Sequence, residues 1–570
     1  MKSTTTALLA LCLMLMPALS GRAAELDVTV FPTEPGPLPA APGDVLELDL
    51  VGAYQLALAR NLGLHVGRYD IAIADANLRG SGGIFDPFLS AFINGDFTRT
   101  PTSTVLEGAN VAESRNTRFG IGVDQLLPSS TQLSADWTTL RGETNSEFFF
   151  LNPRWDAGLR LSLTQPLLNG FGTTVTRSQI IIAENIRQQT AVGFEVGIIM
   201  LLAEVEQAYW ELVATREAVG VTEQSLALAV QLLEETRQRV EVGTSAPIDT
   251  VQSEATVATR QQELIYARNA TANAEDALKG LLGFDLPHEW EVKIETVDSY
   301  EMEPVLPDLQ DSLETALEKR PAIIQQELEL ERLDHNVKVS RNRALPRLDL
   351  TGSYGWSGVS GTSTIEDPDT GEPVTIRDGW GDAASQVFDF DFPRWTLGVS
   401  YSVPVGNHLA KEQLAADRFR RERAGVELAS LRQDITQQVR VAVRALYDGA
   451  AAIDAAVAAR HLAVRNLEAE ETKFANGLST NFQVSEIQRA LADAQFAEIR
   501  ARVNYRKALA GYYAATGTFL EAVGVEIADP GAPDSVHDYW KDVEWLQFDD
   551  LRGARQRVTS PAAPVASTQE

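Results

Sequence analysis

Residues that could carry reaction chemistry are few and badly placed for it. The six histidines, His65, His288, His335, His408, His461 and His537, form no pair at metal-ligand spacing. The sole cysteine is Cys12, near the start of the chain. No glycine-rich phosphate loop is present. Solvent-facing or packing roles suit each histidine, and neither a metal nor a cofactor is called for. The chemistry that remains is electrostatic. Asp and Glu number 79 against 49 Lys and Arg, a net charge of −30, with an isoelectric point near 4.7. That balance argues against nucleic acid as a partner. It leaves two readings open: plain solubility, or an acidic lumen that favours cations.

Glycine marks two sharp turns. Gly243 can close a descending helix in a left-handed conformation, and Pro247 then sits in the first turn of a returning helix. Gly477 ends a second helix, and Thr480-Asn481-Phe482-Gln483 reads as a capping box. On their own these residues need do no more than make tight helical hairpins.

The elements around the turns run through one plan twice. Leu56-Ala57-Leu58-Ala59-Arg60-Asn61 leads to Phe85-Asp86-Pro87, and Thr315-Ala316-Leu317-Glu318-Lys319-Arg320 leads to Leu345-Pro346-Arg347. Ala57 to Ala316 and Pro87 to Pro346 are both offsets of 259 residues. Pro166 to Pro404 is 238 and Gly243 to Gly477 is 234, so the first copy carries extra residues among its strands. A duplication on this scale governs the reading of the whole chain. The copies are expected at 45–302 (strands 86–166, long helix 174–242, tip 243–247, return helix 248–282) and 303–523 (strands 346–404, long helix 408–475, tip 476–480, return helix 481–522).

Six segments alternate with period two, which puts their residues on opposite faces of a sheet. Leu89, Ala91 and Ile93 alternate with Ser90 and Asn94; Phe119, Ile121 and Val123 with Arg118 and Asp124; Leu133, Ala135 and Trp137 with Ser134 and Asp136. Leu159, Leu161 and Leu163 alternate with Arg160 and Ser162; Leu348, Leu350 and Tyr354 with Asp349, Thr351 and Ser353; Trp395, Leu397, Val399 and Tyr401 with Thr396 and Ser400. A soluble sandwich shows the same pattern. The length of about 10 residues suits a tilted transmembrane strand. Trp137, Trp155, Trp356 and Trp395 sit near strand ends, where an aromatic girdle belongs. Residues 99–116 and 358–392 read as long polar outer loops, and Leu127-Pro128-Ser129-Ser130 as a short periplasmic turn. Six strands cannot close a wide barrel, so an oligomer is implied.

The helices are too long for an ordinary globular domain. Ile198, Val205, Leu212, Val219, Leu226, Leu233 and Val240 recur every seven residues, and Ala208, Thr215, Thr222, Ala229 and Thr236 form a second, small-residue stripe. The second copy's seam runs Val439, Leu446 and Ile453, then steps to Val457 and Val464 as a stutter. Segments 45–82 and 248–282 are each about half as long, so two helices end to end match one rod. Before all this, Lys2 and the apolar run from Ala7 to Leu19 read as a secretory signal peptide over 1–23. Leu11 before Cys12 is bulky for a lipoprotein signal. A linker follows at 24–44. Residues 524–570 read as an aromatic belt around Tyr539-Trp540 and Trp545, then a disordered Pro/Ala/Ser tail.

With the duplication, the junctions at Pro166 and Pro404 and the two tips, the chain resembles the TolC family of outer membrane efflux proteins over nearly all of 45–522. The resemblance implies an α+β membrane protein, a trimeric outer-membrane β-barrel continued by a long periplasmic α-helical coiled-coil barrel. It implies that Gly243, Thr244, Ser245, Gly477, Leu478 and Ser479 contact a periplasmic adaptor of an inner-membrane pump. It implies a gate lined by acidic rings. Asp249 keeps a family carboxylate, Glu486 stands where an acidic ring residue is expected, and Gln483 replaces another. Ser479 and Phe474 stand where some members place basic and tyrosine latch partners. The hairpin at 117–140 exceeds the usual two strands per half: either each subunit gives six strands, or that hairpin packs at the mouth. The implied function is the outer membrane channel of a tripartite efflux or type I secretion system, with no reaction catalysed. The competing readings are a passive pore or envelope-spanning tether without a pump and, last, a periplasmic enzyme.

Overall fold

The computed structural model describes residues 45–102, 110–366 and 371–525. The signal peptide, the linker at 24–44 and all of the C-terminal belt and tail beyond 525 lie outside them. Along the chain, β1 (Val45–Leu48) leads into α1 (Leu50–Arg60) and α2 (Leu62–Ser81). Four long strands follow: β2 (Phe88–Pro101), β3 (Val111–Leu126), β4 (Gln132–Thr144) and β5 (Arg154–Pro166). A turn of helix, α3 (Thr173–Thr176), opens α4 (Ser178–Glu241), which returns as α5 (Pro247–Leu281). Then come β6 (Lys293–Thr296), α6 (Leu309–Lys319), α7 (Pro321–Arg343), β7 (Arg347–Glu366) and β8 (Pro373–Arg377). A short helix, α8 (Trp380–Phe388), precedes β9 (Pro393–Ser402), and α9 (His408–Ala475), α10 (Asn481–Thr516) and α11 (Phe519–Val523) complete the described chain.

Six long strands form one antiparallel sheet in the order β2-β3-β4-β5-β7-β9, with β8 on the far end of β7. The hairpin at 117–140 is therefore part of the sheet. Register carries the alternation across every pairing. Ala91 faces Ile121, Ile121 faces Trp137, Trp137 faces Leu159, and Leu159 faces Trp356. Tyr354 faces Trp395 on the last pair. In these rows each apolar residue meets an apolar neighbour, and one face is a hydrocarbon band across the sheet. The opposite face carries Asn94, Arg118, Asp136, Arg160, Ser162, Thr351 and Ser400 in the same register. Phe92 interrupts that polar face, lying over Gly120.

The expected outer loops are largely structured. Pairing of β2 with β3 continues to Pro101 and Val111, so the described residues of 99–116 other than Thr102 and Asn110 are strand, with Arg99 and Glu113 3.1 Å apart across it. Residues 358–392 hold the end of β7, β8 and α8 rather than a loop. Beyond the hydrocarbon band both faces meet water, so the ladder persists without apolar alternation to announce it.

Helices α4 and α9, 64 and 68 residues long, are the two unbroken rods, each roughly 100 Å at 1.5 Å per residue. Beside them the shorter helices stack end to end. The expected helix at 45–82 is broken: β1 comes first, and Asn61 ends α1 and caps α2. The same Asn61 donates to the Leu281 carbonyl at the end of α5, 3.0 Å away, seating α2 on α5. Gly283 approaches the Arg60 carbonyl so closely, at φ +76°, that any Cβ would collide with it. Arg60 then forks onto Glu289 at 2.7 and 2.8 Å in a nearly dry setting. The return helix at 481–522 likewise breaks, at Gly517 (φ +75°), where α10 meets Arg320 at the start of α7. Arg320 donates to the Ala515 carbonyl at 3.1 Å.

The seam of α4 shifts along its length. Ile198, Val205 and Leu212 are buried in its first half, whereas Thr222, Ala229 and Thr236 are buried further down. A straight helix drifts by about 20° per heptad against a seven-residue repeat. The neighbour also changes, from α2 and α7 above to α5 and α10 below. At the changeover, Tyr54 donates to Glu206 at 2.7 Å and Tyr209 to Asp298 at 2.8 Å, while Arg506 lies over the Trp210 ring at 4.7 Å. Burial pushes the Glu206 carboxyl above its usual range.

The fit of α8 on the sheet depends on Gly358, where an added Cβ would lie 2.0 Å from the Ala383 carbonyl oxygen. Gly358→Val is expected to cost about 1–3 kcal/mol and to lift α8. In detergent-solubilised protein, trypsin cleavage at Arg377 should then accelerate; an unchanged rate would show that α8 does not rest on this approach.

Candidate functional site

The two hairpin tips are built from the same local parts. Gly243 (φ +80°) and Gly477 (φ +71°) both take the left-handed conformation. Thr244 donates its amide to the Arg239 carbonyl at 2.8 Å, and Leu478 to the Lys473 carbonyl at 2.9 Å, which closes the last turns of α4 and α9. The returning helices are capped differently. The Asp249 carboxylate accepts from the Ala246 amide at 3.2 Å, and the Thr480 hydroxyl accepts from the Gln483 amide at 3.2 Å.

Contacts that the sequence did not announce hold the tips to each other. Buried Asn481 donates to the Asp249 carbonyl at 2.9 Å and to the Ser253 hydroxyl at 3.0 Å, joining α10 to α5. Arg239 lies 4.0 Å over the Phe474 ring and donates to the Phe474 carbonyl at 2.7 Å, joining α4 to α9. Phe474 itself is buried with Leu232, Leu467, Val484, Ile487 and Leu491. The available signals were a polar residue directly after an N-cap and a cation in the last turn of a helix. Both are too common to mark a contact between hairpins.

The expected gate residues make separate contacts. Asp249 caps its own helix, and Glu486 is paired with Arg489 at 2.6 Å. Gln483 is exposed. Among the described residues no hydrogen bond or ion pair joins the three. Within one chain their shared feature is position, in the first two turns of α5 and α10. Thr244, Gly477 and Leu478 are exposed and Ser245 half-buried. Ser479 turns inward and donates to Glu470 at 2.5 Å.

The four tryptophans do not share one environment. Trp395 is open, at 71% exposure. Trp137, Trp155 and Trp356 are packed with Ala383 and Val387 of α8 instead of standing free as a girdle.

An apolar-outside, polar-inside sheet continued by paired rods defines a membrane β-barrel prolonged by a coiled-coil conduit. A profile for the family described as "Outer membrane efflux protein" matches residues 53–284 and 312–518, and the chain belongs to that family. It is accordingly an outer-membrane protein with its helical part in the periplasm. It is 24% identical to outer membrane protein TolC of Escherichia coli K12 over 324 residues, 56% of this chain and 62% of that relative. The match thus spans less than two thirds of that relative's length. It is 23% identical to TolC of Salmonella enteritidis over 381 residues, 67% of this chain and 72% of the relative. In fold it is similar to the Campylobacter jejuni CmeC outer membrane channel, with TM-score 0.59 and 16% identity over 86% of this chain and 88% of the other.

The Ser479 hydroxyl and the Lys473 ammonium hold the Glu470 carboxyl below the usual range. A carboxyl held down in the folded state contributes stability above its unfolded value of about 4.3. That contribution is lost as pH falls through the lower folded value. Acidification from pH 6 to pH 3 should therefore lower the amide protection factors at 476–480, taken relative to the intrinsic exchange rate at each pH, and Ser479→Ala should blunt the change. Identical pH profiles for the two proteins would rule this contact out as a tip lock.

Proposed function

We propose that this chain is the exit conduit of a tripartite efflux or type I secretion system, working as a homotrimer built from the two matched repeats 45–302 and 303–523. A periplasmic adaptor contacts Gly243, Thr244, Ser245, Gly477, Leu478 and Ser479, and an inner-membrane pump supplies substrate through it. No reaction is catalysed along this path. Tripartite assembly, trimer and repeats are our reading.

One observation carries it: sheet and helical wall end in the same order. The lower wall runs α5-α4-α10-α9 and the upper wall α2-α4-α7-α9. The sheet runs from β2, which follows α2, to β9, which precedes α9. Both flanks are therefore open at both levels. Ile248, Val251, Ile265 and Tyr266 on α5 and Leu462 on α9 are exposed, as are both faces of β9 and most of β2. A second copy set with its β9 against β2 would pair strands antiparallel and bring α9 against α5 in one step. Three copies of six long strands, eighteen in all, reach the size class that leaves an aqueous channel.

Two experiments test this. In a chain with Cys12→Ser, cysteine pairs placed across β2 and β9 should yield a covalent trimer, and a photoactivatable residue at Leu478 should capture an adaptor in intact cells. Trimer without any adaptor would favour a passive pore, and no trimer would overturn the closure. In this arrangement Asp249 and Glu486 recur once per subunit near the closed end and favour cations. Asp249→Asn with Glu486→Gln should lower the cation preference of the channel in bilayer recordings, and unchanged selectivity would remove both residues from the gate.

A further inference from the structure

Helix α8 is placed where no strand pattern leads one to expect a helix. Between the stretch of β7 paired with β9 (Arg347–Trp356) and that paired with β8 (Thr362–Glu366) lies an edge segment. The connection holding α8 occupies it. The Gln386 side chain acts as a strand substitute: its oxygen accepts from the Val359 amide at 3.0 Å and its amide donates to the Val359 carbonyl at 3.1 Å. The Ser357 amide donates to the Phe392 carbonyl at 3.2 Å, and the Ser360 hydroxyl to the Gly379 carbonyl at 2.6 Å. From that edge the helix leans over the apolar face of the sheet. Ala383 and Val387 are buried among Trp137, Ala157, Leu159 and Trp356. Phe388 stacks on Trp137 at 5.4 Å and 14°, Phe390 meets Trp356 edge-on at 4.9 Å, and the Trp380 indole donates to Thr139 at 3.1 Å.

The helix sits at the end of the hydrocarbon band. Going outward on the same face, Phe119 is followed by Thr117 and Arg115, Trp137 by Thr139 and Arg141, and Trp356 by Gly358 and Ser360. This is the level at which a lipid-facing surface gives way to water. The aromatic rings at the ends of α8 and in the turn after it are nevertheless only partly covered by these contacts. Trp380, Phe388, Phe390 and Phe392 are 47%, 54%, 45% and 56% exposed.

We propose that α8 and the turn after it form an interfacial anchor, a nine-residue helix lying in the plane of the outer leaflet, with Trp380, Phe388, Phe390 and Phe392 in contact with lipid. The occupant is lipid rather than another copy because α8 lies over β4, β5 and β7, whereas the open edges are β2 and β9. The patch is also continuous with the sheet's own lipid-facing band. The charges within the anchor itself, Asp382, Asp389 and Asp391, are all acidic, so the contact is apolar and insensitive to salt, unlike the basic interfacial helices that bind anionic headgroups. The inference rests on the membrane-barrel reading and adds a surface outside the conduit itself.

The test uses nitroxide labels on full-length protein carrying Cys12→Ser, reconstituted in lipid bilayers. Single cysteines are placed at Ser385 and Phe388 in α8, at Leu397 in the lipid-facing band and at Thr375 in β8. Collisional access to oxygen is compared with access to a water-soluble nickel chelate. The α8 labels should resemble Leu397, with an oxygen-to-nickel ratio several-fold above that at Thr375 and unaffected by salt. If Leu397 behaves as membrane-embedded while both α8 labels are as open to nickel as Thr375, the anchor is overturned and the barrel stands. If both α8 labels are closed to both reagents, protein covers the helix and the anchor is equally overturned. A water-exposed Leu397 would sink the barrel reading instead. Ser385 is an exposed position whose replacement leaves every aromatic contact in place, so the result does not hinge on Phe388 being dispensable.

Discussion

Backbone pairing in a water-poor medium is the constraint on which the rest depends. Every amide and carbonyl in the hydrocarbon layer must find a partner, because an unpaired one costs several kcal/mol. Among the described residues, five strand pairings satisfy the interior of the sheet and leave two long edges. Six strands are too few to roll up alone around an aqueous lumen. In the assembly we propose, the edges set the contact between copies, and everything below them follows the same order. Each strand edge runs straight into the helix that forms the same flank of the wall, so a closure that pairs β2 with β9 also juxtaposes α5 and α9. The interruption on β7 obeys the same rule: where no strand is available, Gln386 supplies both halves of the missing pairing.

How much of this was legible in the sequence follows from how far each signal is local. The hydrocarbon band was fully legible, since lipid on one side and water on the other enforce period two, and residues from Leu89 to Tyr401 fall on the expected faces. Strand outside the band was not, because water on both sides removes the alternation, so 99–116 looked like loop. Helix α8 was invisible for a different reason. Nine residues among Gly and Asp carry little periodic signal, and what fixes it (Gln386 on Val359, Ala383 against Gly358) joins positions 25 to 27 residues apart. The long helices were legible in length, and the seam of α4 was legible in its upper part, at Ile198, Val205 and Leu212, and in its small stripe, but only partly in its lower heptad positions. The heptad named Val219 and Leu226, whereas the lower half of α4 buries Ser225 and Leu232 beside its small stripe, a choice made by the neighbours.

The candidate site was the least legible part. The turn glycines announced themselves, since positive φ is close to a glycine requirement. The contacts between tips did not. Asn481 and Arg239 act across 232 and 235 residues of sequence, and nothing in their local pattern sets them apart from ordinary caps. Even the residues carried by resemblance are spoken for within the chain, Asp249 as a cap and Glu486 as Arg489's partner.

The wall is held very unevenly from one end to the other. Its middle is a dense knot, where Arg60 forks onto Glu289 with both side chains about nine-tenths buried, and Lys279 reaches Glu275 and the Trp290 carbonyl in a similarly dry setting. Such pairs are costly to break once desolvated, because removing one partner strands the other. Toward the tips, α5 buries little beyond Ser253 and Leu264 and is held to α10 by the Asn481 hydrogen bonds, while α4 meets α9 and α10 through one apolar cluster around Leu232 and Phe474 and the Arg239 contact with Phe474. Free energy of local opening follows the density of buried contacts. In the conduit we propose, the stacked helix junctions and the aromatic knot hold the upper wall in register with the barrel, and the α5 flank of the tips, which carries the fewest buried contacts, is the part most ready to exchange its contacts for those of the proposed docking partner.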